Sequence, residues 1–142
     1  MIIALRDQLH DHAPVRVEAG PIGRLGWIQI DAHDPLRLAA FWGSVLGKPV
    51  SQEPLGNPPH YVGLVTSADD LVVCFQRVPE EKTVKNRLHL DIQVDDVDGA
   101  QTAIEAIGGR RLPTADFHEY GFSWRQMADP EGNEFCLIFG TV

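Results

Sequence analysis

The sequence has few cysteines, few basic residues and no long hydrophobic stretch. Its 142 residues include two cysteines, Cys74 and Cys136, and 12 lysines and arginines against 20 aspartates and glutamates, which gives a net charge of −8. The cysteines do not form a CxxC motif, so neither a zinc knuckle nor a redox centre is indicated, and we expect two buried free thiols. The shortage of basic residues argues against a nucleic-acid partner, because phosphates require a basic surface.

No apolar stretch reaches the roughly 18 residues that suggest a membrane-spanning helix. The apolar run after Met1 is short and is followed at once by Arg6 and Asp7, unlike the hydrophobic segment of a signal peptide. We therefore expect a cytoplasmic protein with no membrane contact. A hydrophobic content of 44% and a charged content of 23% are ordinary for one compact globular domain.

The basic residues that are present fall in two short clusters. One consists of Lys82, Lys85 and Arg87, and the other of Arg110 and Arg111. Each cluster either contacts an anionic ligand or is part of a solvated surface.

Segment 87–96 alternates polar and apolar side chains, which is typical of a strand with one apolar face. Its polar face carries His89, Asp91 and Gln93, and its apolar face carries Leu88, Leu90, Ile92 and Val94. Side chains two residues apart project from the same side of a strand. His89 and Asp91 are therefore either a functional pair, in which Asp91 orients His89 as a general base, or a structural pair that only satisfies itself.

The remaining sequence predicts two helices and a series of further strands. The helices cover 36–46 and about 97–107, and the first has Asp34 as its N-cap and Gly47 just after its end. The strands cover 26–31, 48–50, 60–65, 71–78, 110–113, 122–128 and 134–139, and 116–121 is predicted as a loop. Prolines and glycines break up residues 1–26, which we interpret as an N-terminal extension. Its His10 and His12 either bind a metal or are exposed.

The chain contains an internal repeat. Trp27 corresponds to His89 and Asp34 to Asp96, both at a separation of 62 residues (89 − 27 and 96 − 34). Each half reads as strand, helix and three strands, which predicts two βαβββ modules. Module one covers 27–78 and module two covers 87–140. We expect an α+β fold in which the modules form one curved eight-stranded mixed sheet, with the helices on its outer face and a ligand cleft on its inner face.

Four segments resemble the vicinal oxygen chelate superfamily, which includes glyoxalase I, bleomycin-resistance proteins and extradiol dioxygenases. They are IDAHDP at 30–35, FWGSVLG at 41–47, LHLDIQVDD at 88–96 and DPEGNEFCL at 129–137. The second and fourth segments are the most specific. The resemblance extends over 27–139 and is closest to the glyoxalase-like domain group. It implies the paired βαβββ architecture, completed within one chain or by exchange between two chains, and a homodimer.

In metal-dependent members of this superfamily, four side chains from the two modules hold a divalent metal. The resemblance assigns these positions to Trp27, to Gln76 (or Cys74 if the register slips by two residues), to His89 and to Cys136. His89 is a good ligand and Gln76 is a weak one, whereas Trp27 cannot bind a metal. A glutamate is expected at the position of Cys136, and Glu134 lies two residues away. We therefore predict no cofactor; a metal, if bound, would take His89, Gln76 and Cys136 as ligands.

The same correspondence predicts an aromatic and acidic cleft. Its members are Trp27, Asp31, Gln76, His89, Asp91, Trp124 and Cys136. The two indoles can stack on a flat or cationic ligand, and the carboxylates of Asp31 and Asp91 favour positive charge. The leading prediction is a protein that binds and sequesters such a small molecule without a metal. The alternatives are a lyase or isomerase that uses His89 and Asp91 or a non-standard metal site, and a purely structural or partner-binding module.

Overall fold

A computed structural model of the chain describes residues 22–68, 70–119 and 121–140. Most of the predicted N-terminal extension, including His10 and His12, lies outside these residues. Its last part, 22–26, forms no helix or strand. Among the described residues, no helix is both long enough and apolar enough to cross a bilayer.

Module one forms a three-stranded sheet covered by one helix. Its elements are β1 (Trp27–Ala32), α1 (Pro35–Leu46), β2 (Tyr61–Gly63) and β3 (Val72–Arg77). The strand order is β1-β3-β2, with β1 parallel and β2 antiparallel to β3. The strand predicted at 48–50 is reduced to one isolated bridge between Val50 and Leu64. This sheet is called sheet one below.

Module two forms a five-stranded sheet, called sheet two. Its elements are β4 (Asp91–Gln93), α2 (Val97–Ala106), β5 (Arg110–Arg111), β6 (Phe117–Glu119), β7 (Phe122–Ala128) and β8 (Glu134–Phe139). The order is β4-β8-β7-β5, and β6 also pairs with β7. Both β5 and β6 run antiparallel to β7, so together they make one interrupted edge strand. The prediction of a loop at 116–121 missed β6.

The prediction of a single curved eight-stranded sheet is wrong, because the described residues form separate sheets of three and five strands. The expected four and four strands become three and five for two local reasons. Module one keeps only a bridge at Val50, and module two divides its edge strand into β5 and β6. Residues 86–90, which lie beside β1, have no strand geometry, so no hydrogen-bonded ladder joins the described parts of the two sheets.

Helix α1 begins and ends where its sequence predicts. The Asp34 side chain accepts a hydrogen bond from the Arg37 backbone N–H at 3.1 Å, and Pro35 occupies the first turn. The Glu131 carboxylate, which comes from module two, accepts hydrogen bonds from the backbone N–H groups of His33 and Asp34. At the other end, Gly47 adopts a φ of 64°, a left-handed conformation that glycine enters without steric cost.

One hydrophobic core connects the two modules. Phe41 and Trp42 on α1 pack edge-to-face against Phe135 on β8, with ring centroids 6.2 and 4.9 Å from it. The three rings are nearly inaccessible to solvent. Aromatic pairs in this geometry attract each other beyond the effect of their buried area. The FWGSVLG and DPEGNEFCL segments are therefore in direct contact.

The carboxylate of Asp129 organises the turn before β8. It is 1% exposed and accepts hydrogen bonds from the backbone N–H groups of Glu131 and Asn133 and from the Asn133 side-chain amide. The Trp42 indole N–H donates a further bond to it at 3.0 Å. A buried carboxylate requires this full set of donors, because burial removes its hydration. The indole of α1 thus joins module one to the turn of module two.

We expect Trp42→Phe to destabilise the protein by about 2–3 kcal/mol, because the buried Asp129 carboxylate loses a donor and the smaller ring leaves a gap. Chemical denaturation gives the free energy of unfolding. Trp124→Phe is the matched control, since Trp124 is half-buried and its stacking on Phe117 is retained by the smaller ring. We expect Trp124→Phe to lower the free energy of unfolding by less than about 1.5 kcal/mol. Equal losses in the two variants would contradict the role of the Trp42–Asp129 bond.

Candidate functional site

The face of sheet one that points away from the core carries several of the predicted cleft residues. Along β1, Trp27, Gln29 and Asp31 are exposed, and Trp27 retains 67% of its accessible surface. The parallel register pairs Gln29 with Cys74 and Asp31 with Gln76, so these side chains share the face. Cys74 is half-buried here, not buried as predicted.

The corresponding face of sheet two brings together His89, Asp91 and Cys136. Asp91 is the first residue of β4 and is paired in register with Cys136 on β8, so their side chains project from the same side. His89 lies two residues before Asp91, just outside the strand. Its Nε2 atom is 3.3 Å from Asp91 Oδ1. We call these three residues the His89 cluster.

The His89 cluster has the composition of a metal-ligating group. One ligand atom from each residue lies within 4.8 Å of the other two. An imidazole nitrogen, a carboxylate oxygen and a sulfur are donors that Zn²⁺ accepts, and three protein ligands leave a fourth position for a small molecule. The cluster contains His89 and Cys136 of the predicted ligand set together with Asp91, and Gln76, the third predicted ligand, is on sheet one.

The Cys136 thiol is held in its neutral form. Burial raises its pKa to about 11, and the charge and hydrogen bond of Asp91 act in the same direction, against a smaller opposite effect of Lys85. A thiol in this state is a poor nucleophile because the thiolate is the reactive form. Cys136 can serve as a metal ligand only if the metal displaces its proton.

A cavity of about 260 Å³ lies where β1 meets the segment before β4. We call it the seam cavity. It is lined by residues 28–30, Trp42, 86–90, Asp129 and 133–135. His89 belongs both to this lining and to the His89 cluster. Because the two sheets do not join here, a concave space lies beside the His89 cluster.

Glu134 fixes the connector, residues 78–90 between β3 and β4, which borders the seam cavity. Its carboxylate accepts hydrogen bonds from the Lys82 ammonium and the Asn86 backbone N–H, both at 2.9 Å. Burial is the largest single effect and would raise the pKa of Glu134, but these two hydrogen bonds, the backbone N–H of Glu134 and the charge of Lys82 together hold the pKa below its ordinary value. A hydrogen bond of 2.8 Å between His33 Nε2 and the Glu80 carbonyl ties down the start of the connector. Glu134 is thus engaged in structure and is not part of the His89 cluster.

The predicted site residues are distributed over both sheets. His89, Asp91 and Cys136 form one cluster, whereas Trp27, Asp31 and Gln76 lie on sheet one. Trp124 is on β7, and Phe117 stacks on one side of its ring at a centroid distance of 5.3 Å.

The sequence interpretation missed most of the seam cavity lining, including Asn86 and Trp42. The sequence indicated only His89, a predicted cleft residue, and Arg87, a member of a basic cluster.

We expect Cys136 to react slowly with iodoacetamide, because a thiol of pKa about 11 is only about 0.1% thiolate at pH 8. The rate should rise about tenfold per pH unit up to pH 10. Asp91→Asn should accelerate the reaction at pH 8 by removing a negative charge that opposes ionisation. Both rates are measured in protein that also carries Cys74→Ser, so that only Cys136 is alkylated. A rate that is independent of pH would show that access, not ionisation, limits the reaction.

The fold and sequence are similar to known glyoxalase-related proteins. The model of the family described as "glyoxalase-like domain" matches residues 27–138. A glyoxalase/bleomycin resistance protein/dioxygenase family enzyme from Burkholderia phytofirmans PsJN superposes with a TM-score of 0.65 at 21% identity, covering 82% of this chain and 98% of that one. A glyoxalase-related enzyme from Fulvimarina pelagi gives 0.60 at 20% identity, covering 84% and 89%.

A superfamily member from Sphaerobacter thermophilus gives a TM-score of 0.60 at 17% identity, covering 84% of this chain and 98% of that one. These identities support a shared fold and no more. No curated protein shows significant sequence similarity to the chain. The family match covers most of the sequence and confirms the resemblance noted in its motifs. The chain belongs to the glyoxalase-like domain family, within the vicinal oxygen chelate superfamily.

Proposed function

We propose that this chain binds a small organic molecule in the seam cavity, with the His89 cluster at the polar end of the site. The observation that supports this most directly is that His89 belongs to both. The cavity combines apolar walls, such as Ile28 and Leu90, with a few polar groups, which is the usual composition of ligand sites. A ligand there would contact residues of both modules.

The size of the cavity limits the ligand. Sites for drug-sized molecules range over roughly 300–1,000 Å³, and the seam cavity is slightly smaller at about 260 Å³. We therefore propose a compact ligand, not an extended one. Trp27 on β1 and Trp124 on β7, the two indoles predicted to stack on a flat or cationic ligand, are not among the residues that line the seam cavity.

We expect a fragment screen to find ligands that shift the NMR signal of the Trp42 indole N–H, because Trp42 lines the cavity. Ile28→Trp should abolish these shifts by filling the space. Leu36→Trp makes a similar change on the exposed side of α1 and should leave binding intact. Fragments that bind Ile28→Trp as well as they bind the natural sequence would refute the seam cavity as the site. If only the Trp27 signal shifted, the ligand site would be the exposed face of sheet one and not the seam cavity.

A second function, catalysis at the His89 cluster, is favoured by the convergence of its three donor atoms. The pairing of His89 with Asp91 suits a general base whose imidazole is oriented by a carboxylate. A divalent metal held by His89, Asp91 and Cys136 would supply Lewis acidity. In either case the protein would be a lyase or isomerase of its superfamily, and the same cavity would hold the substrate.

We expect Co²⁺ titration to test the metal site independently of any activity. Binding of about one equivalent should give the near-ultraviolet absorption of a thiolate–Co²⁺ bond, and affinity should rise with pH because the Cys136 proton must leave. Cys136→Ser should remove the absorption, while Cys74→Ser should keep it. Co²⁺ binding without this absorption would exclude Cys136 as a ligand and leave at most His89 and Asp91.

A further inference from the structure

The seam cavity contains two carboxylates, and both are already satisfied. Asp129 accepts four hydrogen bonds, from Trp42, Glu131 and Asn133. Glu134 accepts one from Lys82 and one from Asn86. Neither carboxylate has an unmet need for a cationic partner, because each is surrounded by donors within the protein.

The arginine of the cavity differs from the two carboxylates, because it has no side-chain partner among the described residues. Arg87 lines the cavity and is exposed. Over the described ranges 22–68, 70–119 and 121–140, its guanidinium takes part in no ion pair and no side-chain hydrogen bond. The guanidinium offers five N–H donors in a planar fork that matches a carboxylate. A donor group of this kind at the mouth of a cavity suits an anionic ligand.

The charged groups near Arg87 also favour an anionic ligand over a cationic one. Lys85 lies close enough to Cys136 to favour its ionisation, so a second cation is near the His89 cluster. Asp91 is the one carboxylate of that cluster, but it is outside the cavity lining and already lies 3.3 Å from His89. The net charge of −8 acts weakly at this point, since salt screens distant charges beyond about 8–10 Å.

We infer that the seam cavity selects a small carboxylate-bearing molecule whose anionic end is held by Arg87 and whose apolar body lies between Ile28 and Leu90. This inference depends on the proposed binding in the seam cavity and adds the chemical class of the ligand. It replaces the expectation of a cationic ligand, which came from Asp31 and Asp91. Those two carboxylates lie outside the cavity lining.

Three compounds with one body and different charges test the inference. They are 3-phenylpropanoate, 3-phenylpropanamide and 3-phenylpropylammonium, titrated into the ¹⁵N-labelled full chain at pH 7.5. The indole N–H signal of Trp42 and the backbone amides of 86–90 report binding. We expect the carboxylate to bind at least about tenfold more tightly than the amide and the ammonium, because a charge-assisted pair is stronger than a neutral hydrogen bond.

Variants of Arg87 identify the group responsible. Arg87→Gln should reduce the affinity for 3-phenylpropanoate to that for the amide, and Arg87→Lys should restore part of it, since lysine keeps the charge without the fork. Arg110→Gln removes another exposed arginine, which lies outside the cavity lining, and should leave the affinity for 3-phenylpropanoate unchanged. The inference is overturned if Arg87→Gln binds 3-phenylpropanoate normally.

The result also separates this inference from the proposed function. If the Trp42 signal shows that the amide or the ammonium binds at least as tightly as the carboxylate, the anionic class is overturned and the seam cavity remains a ligand site. Failure of all three compounds would overturn the anionic class as well. The cavity itself is then judged by the fragment screen with Ile28→Trp, which includes neutral compounds.

Discussion

The hydrogen bond between the Trp42 indole and the buried Asp129 carboxylate is the contact on which the relation of the two modules depends. Asp129 needs donors because it is almost fully removed from water. Its turn supplies three, and α1 of the other module supplies the fourth. The edge-to-face packing of Trp42 on Phe135 adds an apolar contact at the same place. The two most specific sequence segments therefore meet at the floor of the seam cavity.

The seam cavity exists because two neighbouring strand edges do not pair. Residues 86–90 are held away from strand geometry while Glu134 binds the connector through Lys82 and Asn86. A regular strand at this place would bring its backbone to within about 4.8 Å of β1 and close the space. The irregular segment instead exposes its side chains, including Arg87 and His89, to the gap. The hydrogen bonds that anchor the connector therefore also leave the space in which the site forms.

The chemistry of the site follows from which acidic groups are already engaged. Glu134 lies two residues from the position where the superfamily carries a glutamate ligand, but its oxygens bind the connector and its pKa is lowered. Asp91 faces His89 and Cys136, and it helps to keep the thiol protonated. Module two therefore offers an imidazole, one carboxylate and a neutral thiol on its sheet, with an unengaged guanidinium nearby. This set differs from the four ligands expected from the superfamily, two of which were expected from module one.

The sequence by itself determined the local elements and part of the site. The caps and apolar spacing predicted α1 within one residue of its observed bounds, and period-two alternation put His89 beside Asp91, because both signals depend only on neighbouring residues. The resemblance assigned Cys136 and His89 to ligand positions, and the pairing of β4 with β8 is what brings Cys136 beside Asp91. Only the tertiary structure decided the division into two sheets and the existence of the seam cavity. Both depend on whether 86–90 pairs with β1, and that is set by contacts of the connector with Glu134, 48 residues or more away in the sequence.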